Sequence, residues 1–175
     1  MPNQLMTYAD LGLTYEKVEG VDIDHLQPAA IHAVMLTGLA IQKISGKTPV
    51  LTSGWRDISG QLRAMENMKA TQPELYQQVY GPMMKRGQDP ATMPHPEGRA
   101  GDWRFKGYED AENTLLEINT WLMEGISDII GYMPSRIIYP EKSGGIVRCY
   151  HVQVPRSIPD KSKFKNYLSA TFCRA

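Results

Sequence analysis

Between Arg86 and Gly98 the chain carries three prolines and two glycines, a density that neither a helix nor a strand tolerates. This irregular stretch runs into His95-Pro96-Glu97-Gly98-Arg99-Ala100-Gly101-Asp102-Trp103. His95 and Asp102 are spaced to share one face of a helix. Pro94, Pro96, Gly98 and Gly101 argue against that helix, because each is costly in a helix interior. The expected local structure is a tight turn at Gly98 that brings a loop imidazole beside a strand carboxylate.

The segments around this stretch set the fold class. Residues 1–22 read as an irregular N-terminal arm. From Pro28 to Ser45 the pattern is helical, with Ile31, Val34, Met35, Ile41 and Ile44 as its stripe and Gly46 as its stop. Val50-Leu51-Thr52 reads as a strand leading into a turn at Ser53-Gly54-Trp55-Arg56-Asp57. Asp57 or Ser59 caps a helix to about Lys69, and a further helix starts at Pro73, with Leu75, Val79 and Met83 spaced by four. Ala100 to Phe105 is a short strand, and Asp110 opens a helix with Leu115, Ile118 and Leu122 on one face. Ile129 to Tyr132 and Arg136 to Tyr139 are apolar runs. The last of these pairs with a strand from Ile146 to Val154 as a hairpin, through a five-residue loop from Glu141 to Gly145. Helices come first and strands cluster later. That order predicts an α+β fold, a small antiparallel sheet flanked by helices. At 175 residues the chain is expected to form a single domain with one core.

Charge excludes some partners. The 19 acidic and 19 basic residues cancel, so there is no basic footprint for nucleic acid. No apolar run is long enough to span a bilayer. Met1-Pro2-Asn3-Gln4 lacks the charged and apolar regions of a secretory signal, so synthesis in a cytoplasm is expected. Cys149 and Cys173 are too few for a disulfide framework.

A second imidazole stands far downstream in Tyr150-His151-Val152-Gln153-Val154. In a strand its side chain shares a face with Cys149 and Gln153. Antiparallel pairing would bring it beside Asp102. Two histidines and an aspartate are the ligand types of a catalytic zinc, which keeps its fourth position for water. The same three residues also make a His–Asp hydrogen-bonded cluster without metal, and the residues alone leave both readings open. Cys149 could be drawn as a nucleophile beside His151, but free cysteine is among the most buried residue types and reads first as a packed strand residue. His25 and His32 read as helix residues rather than ligands. The methionines, Met65, Met68, Met83 and Met84 among them, read as core. Trp55 and Trp103 adjoin Arg56 and Asp102 and either pack in the core or line a cleft.

Taken in order, Ser53-Gly54-Trp55-Arg56, Gln61, His95 through Asp102, and His151-Val152-Gln153-Val154 resemble the zinc D-Ala-D-Ala carboxypeptidase and phage-endolysin peptidase family. That family shares its fold with lysostaphin-type enzymes and the hedgehog signalling domain. Its pattern is S-G-x-R, then S-x-H-x-x-G-x-A-x-D, then a final histidine, and the resemblance spans about residues 50 to 155. It implies zinc held by His95, Asp102 and His151, with Arg56 reaching a substrate carboxylate or developing oxyanion. It implies a zinc metallopeptidase acting on peptidoglycan stem peptides, either as a D-Ala-D-Ala carboxypeptidase or as an L-Ala–D-Glu-type endopeptidase. It further implies a phage or prophage lysin that reaches the cell wall after holin-type release.

Three positions depart from the family pattern. Met93 stands where the family has serine. Arg148 stands three residues before the last histidine, where many members have the acidic general base. Cys149 stands where others have a second histidine. A peptidase needs a group that takes a proton from water and passes it to the leaving amine. Glu141, Glu97 and Asp128 are the carboxylates available, and none is singled out. The alternative is a zinc-containing module that binds peptidoglycan or a protein partner without cutting, as the hedgehog relatives illustrate.

Overall fold

Pro28 sits in the first turn of α1 (Pro28–Ser45), and Gly46 ends the helix in the left-handed region at φ 66°. Every residue from Ala33 to Ile41 is buried, so α1 is a central helix rather than a one-sided surface helix. The computed structural model describes residues 9, 12–104, 138–143, 146–154 and 156. Around α1 they form β1 (Glu16–Lys17), β2 (Val50–Ser53), α2 (Ile58–Thr71), α3 (Pro73–Val79), α4 (Gly81–Lys85), a 3-10 turn (Pro90–Thr92), β3 (Ala100–Arg104), β4 (Ile138–Ser143) and β5 (Ile146–Gln153). The expected helix from Asp110 lies outside the described residues, as does the run from Ile129 to Tyr132.

The fold is α+β, with one five-stranded sheet in the order β1-β2-β3-β5-β4. The expected antiparallel sheet needs one correction. β1 pairs parallel with β2, Glu16 opposite Val50, so part of the N-terminal arm is an edge strand. A two-residue strand carries too little pattern to be read from sequence. The hairpin is tighter than expected, because pairing continues to Ser143 opposite Ile146 and leaves two residues between the strands instead of five. The helix expected from Pro73 through Met83 is two helices. Pro82 has no N–H to continue the ladder, so α3 stops at Val79 and α4 begins at Gly81. Asp57 caps α2 as expected, accepting the Gly60 N–H at 2.6 Å.

Strand alternation assigns the two faces of the sheet. Trp103, Tyr150 and Val152 are buried against α1 in the main core. The Trp103 ring lies so close to α1 that a Cβ on Gly38 would stand 2.7 Å from it, which explains a glycine in mid-helix. Its indole N–H donates to the Val34 carbonyl at 2.8 Å. Trp103 is therefore core, fully buried, and does not line a cleft. The opposite face carries Asp102, His151 and Gln153, and α2, α3 and α4 stand over it. A second cluster of Met65, Tyr80 and Met93, with Met68, Tyr76, Val79 and Met83 against it, holds these helices together. The expectation of core methionines holds for Met65 and fails for Met84, which is 42% exposed. The helices and the sheet enclose a cleft of about 560 Å³ between them. Among the described residues no helix is long and apolar enough to cross a membrane.

Candidate metal centre

Asp102 in β3 lies directly opposite His151 in β5, the pairing expected from sequence. Residues opposed in an antiparallel pair project to the same face. The His151 Nδ1 accordingly reaches Asp102 Oδ1 at 2.8 Å. Gln153, two residues on, places its Oε1 3.0 Å from His151 Nε2. When that amide oxygen accepts the Nε2 proton, Nδ1 is left as the ligand atom.

His95 arrives from the loop, as expected. Gly98 turns the chain at φ 68°, with its N–H on the His95 carbonyl at 3.0 Å. A side chain there would meet the His25 carbonyl, so the turn requires glycine on two counts. Trp55 donates its indole N–H to the Pro96 carbonyl at 3.0 Å and ties the loop to the end of β2. The His95 Nδ1 lies 2.6 Å from the Gly54 carbonyl oxygen. A carbonyl only accepts, so Nδ1 carries the proton and Nε2 presents a lone pair. That Nε2 lies 3.3 Å from Asp102 Oδ2.

Burial and charge act on this group in opposing senses. Burial pushes the His95 imidazole below its ordinary value, against the pull of Asp102 and with the help of Arg56. Burial alone would raise the Asp102 carboxyl. The two imidazoles outweigh it through charge and hydrogen bonding and hold the carboxyl well below the ordinary carboxylate range. In its neutral form, with Nδ1 donating to Gly54, His95 turns the Nε2 lone pair toward Asp102 Oδ2. A cation satisfies both. His95, Asp102 and His151 each offer one ligand atom, and the three atoms lie within 4.8 Å of one another. The group is buried, with His95 and Asp102 5% and 6% exposed, and it is able to hold a metal ion.

Arg56, the fourth residue singled out from sequence, is in the site. Its Nη2 stands 3.3 Å from Asp102 Oδ2 and its Nη1 donates to Gln61 Oε1 at 3.4 Å. Gln61 is buried and donates onward to the Tyr80 hydroxyl at 3.2 Å and toward Met93 Sδ at 3.5 Å. Met93 is thus a packing residue in the second cluster. Sequence reasoning gave Gln61 and Gln153 no role. Both sit inside quoted motif blocks, but their hydrogen bonds depend on tertiary neighbours.

Other candidates fall away from the metal group. His25 is exposed and pairs with Asp22 at 2.6 Å. His32 sits half-buried on α1. Glu97 is held by Arg99 at 2.7 Å and Arg156 at 2.8 Å. Burial would raise its carboxyl, and these two arginines more than offset that and lower it. It is absent from the cleft wall, where Asp102 is the one carboxylate among the described residues. Asp128 lies outside the described residues. Cys149 is buried on the cleft wall, one pleat from His151.

The chain matches no protein-family model, no curated protein and no solved structure.

Proposed function

We propose that this chain is a zinc metallopeptidase of the D-Ala-D-Ala carboxypeptidase and phage-endolysin type, with the corresponding fold, and that it cuts peptidoglycan stem peptides. One observation carries the reading. His95, Asp102 and His151 come from three separate segments and converge, with Arg56, on the wall of a cleft large enough for a peptide. Zinc suits a mixed imidazole and carboxylate site, and when bound it supplies Lewis acidity and lowers the pKa of water toward neutrality.

The chain's own residues supply the rest. Gly54 and Gln153 orient the two imidazoles. Arg56 holds a guanidinium beside Asp102, where it can pair with a substrate carboxylate or a developing oxyanion. The amide side chains of Asn67, Gln72 and Gln78 line the opposite wall and suit peptide N–H and C=O groups. As a phage or prophage lysin, the protein would be made in the cytoplasm and act at the cell wall after holin-type release.

A second reading has a specific observation behind it. Arg148 replaces the usual acidic base, and Asp102 is the one carboxylate on the described cleft wall. A zinc-containing module that grips peptidoglycan without cutting would look like this. Digestion of purified peptidoglycan with zinc-loaded protein, beside a chelated control, separates the two. New amino termini or released D-Ala that depend on zinc support the peptidase, and fragment masses name the bond. An intact wall, from protein carrying one zinc, overturns it in favour of the binding module.

A further inference from the structure

Arg104 ends β3 on the same face as Asp102, two residues along the strand and hence about 7 Å from it. Its side chain lines the cleft and is exposed there. The other cleft arginine, Arg56, is engaged with Asp102 and Gln61. Arg104 has no acidic partner among the described residues, although its planar fork suits a carboxylate. The same cleft is also lined by the uncharged Thr52, Asn67, Met68 and Gln72. The cleft therefore offers, beyond His95, Asp102 and His151, an exposed guanidinium with no acidic partner among the described residues. A peptide with a free carboxylate supplies that partner.

We infer that Arg104 is the anchor for a free substrate carboxylate, and that it selects peptides carrying that carboxylate within about two residues of the bond placed at the metal group, given an extended rise of about 3.3 Å per residue. The inference rests on the peptidase reading for its direction along the cleft. Arg104 is a specificity residue that binds substrate, and it takes no part in bond cleavage.

The test is calorimetric titration of the metal-free full chain, which cannot turn the probe over through zinc. The probe is the pentapeptide L-Ala-γ-D-Glu-L-Lys-D-Ala-D-Ala, compared with the same peptide amidated at its carboxylates. The wild type is expected to bind the free-carboxylate peptide at least tenfold more tightly. Arg104→Gln should erase the difference, and Arg104→Lys should keep part of it. Circular dichroism checks that both variants, altered at an exposed position, remain folded. A wild type without the preference, or an Arg104→Gln protein that retains it, overturns the inference. The peptidase reading fails separately: an undigested wall together with an intact carboxylate preference removes the enzyme and leaves the anchor.

Discussion

The Gly54 carbonyl accepts the Nδ1 proton of His95 at 2.6 Å, and this bond decides which imidazole nitrogen faces Asp102. The serine-glycine-x-arginine block thus acts on the metal group through its backbone as well as through Arg56. Glycine is needed at position 54 because a Cβ would collide with the Asp22 carbonyl, which also accepts the Trp55 N–H at 2.8 Å. Gly54→Ala must displace the Asp22 segment from the one that follows β2 and carry the His95 acceptor with it. We expect zinc affinity to fall by about 10- to 100-fold, as when other orienting partners of metal ligands are lost. We expect a loss of stability of about 1–3 kcal/mol from overpacking. Competition with a chromophoric chelator and a denaturant melt measure the two. Unchanged affinity would mean that the carbonyl does not orient the ring.

Asp102 is the hub of the group, touched by His95, His151 and Arg56. Asp102→Asn keeps the shape and removes the charge that two imidazoles and a guanidinium share. Zinc stoichiometry should drop from one to none. The wild type should be stabilised by zinc, by about 4 kcal/mol at a free concentration 1,000 times Kd, and the variant by nothing measurable. Thermal melts with and without zinc read both. Equal zinc stabilisation in the two proteins would show that the metal sits elsewhere.

What the sequence made legible was what local chemistry dictates. Pro28 and Gly46 bound α1, Asp57 caps α2, and the Gly98 turn and the pairing of Asp102 with His151 follow from glycine and strand patterns. Three features escaped because they depend on distant neighbours or on very short segments. Glu16 and Lys17 form a strand only because β2 offers an edge. Tyr80-Gly81-Pro82 splits a helix whose apolar spacing runs straight through it. Gln61 and Gln153 look like ordinary polar residues until Arg56 and His151 are placed against them. Glu97, a base candidate within the motif itself, is held by two arginines, one of them Arg156, just beyond the end of β5.

Acid should destabilise the metal-free fold in the range where imidazoles titrate. Burial lowers both His32 and His95 below the ordinary imidazole value of 6.5. The unfolded chain therefore takes up protons near pH 6.5 that the folded chain still refuses, and the balance shifts toward unfolding. This contribution is fully present above pH 6.5 and is lost as pH falls through that value toward the lower folded values. Asp102 and Glu97, both lowered, act in a separate window that opens as pH falls through their ordinary values of 3.8 and 4.5. Urea midpoints of the metal-free protein should be lower at pH 5.5 than at pH 7.5, and His32→Gln should narrow the gap. Equal wild-type midpoints would show that neither imidazole is held neutral by the fold.

Among the three base candidates, Glu141 is the one whose strand position pairs with the strand of His151. In the hairpin, Tyr139 opposes His151 and Glu141 opposes Cys149. The register then slips, so that Lys142 opposes Val147 and Arg148 becomes the extra residue of a β-bulge. Bulges occur beside active sites, where they re-aim a strand. In the proposed peptidase reading, the acidic position falls on the bulge, and Glu141 holds a register position on the neighbouring strand one pair away. General base catalysis contributes about 10²- to 10⁴-fold, so Glu141→Gln should slow zinc-dependent peptide cleavage at least 100-fold with zinc stoichiometry unchanged. Adding Arg148→Glu to that variant should restore part of the rate. Cleavage by Glu141→Gln at the wild-type rate rules Glu141 out. A wild type that cuts nothing, beside an Arg148→Glu protein that does, would mean that the chain keeps the metal group of a peptidase and has lost its base, which makes Arg148 the residue that turned an enzyme into a binding module.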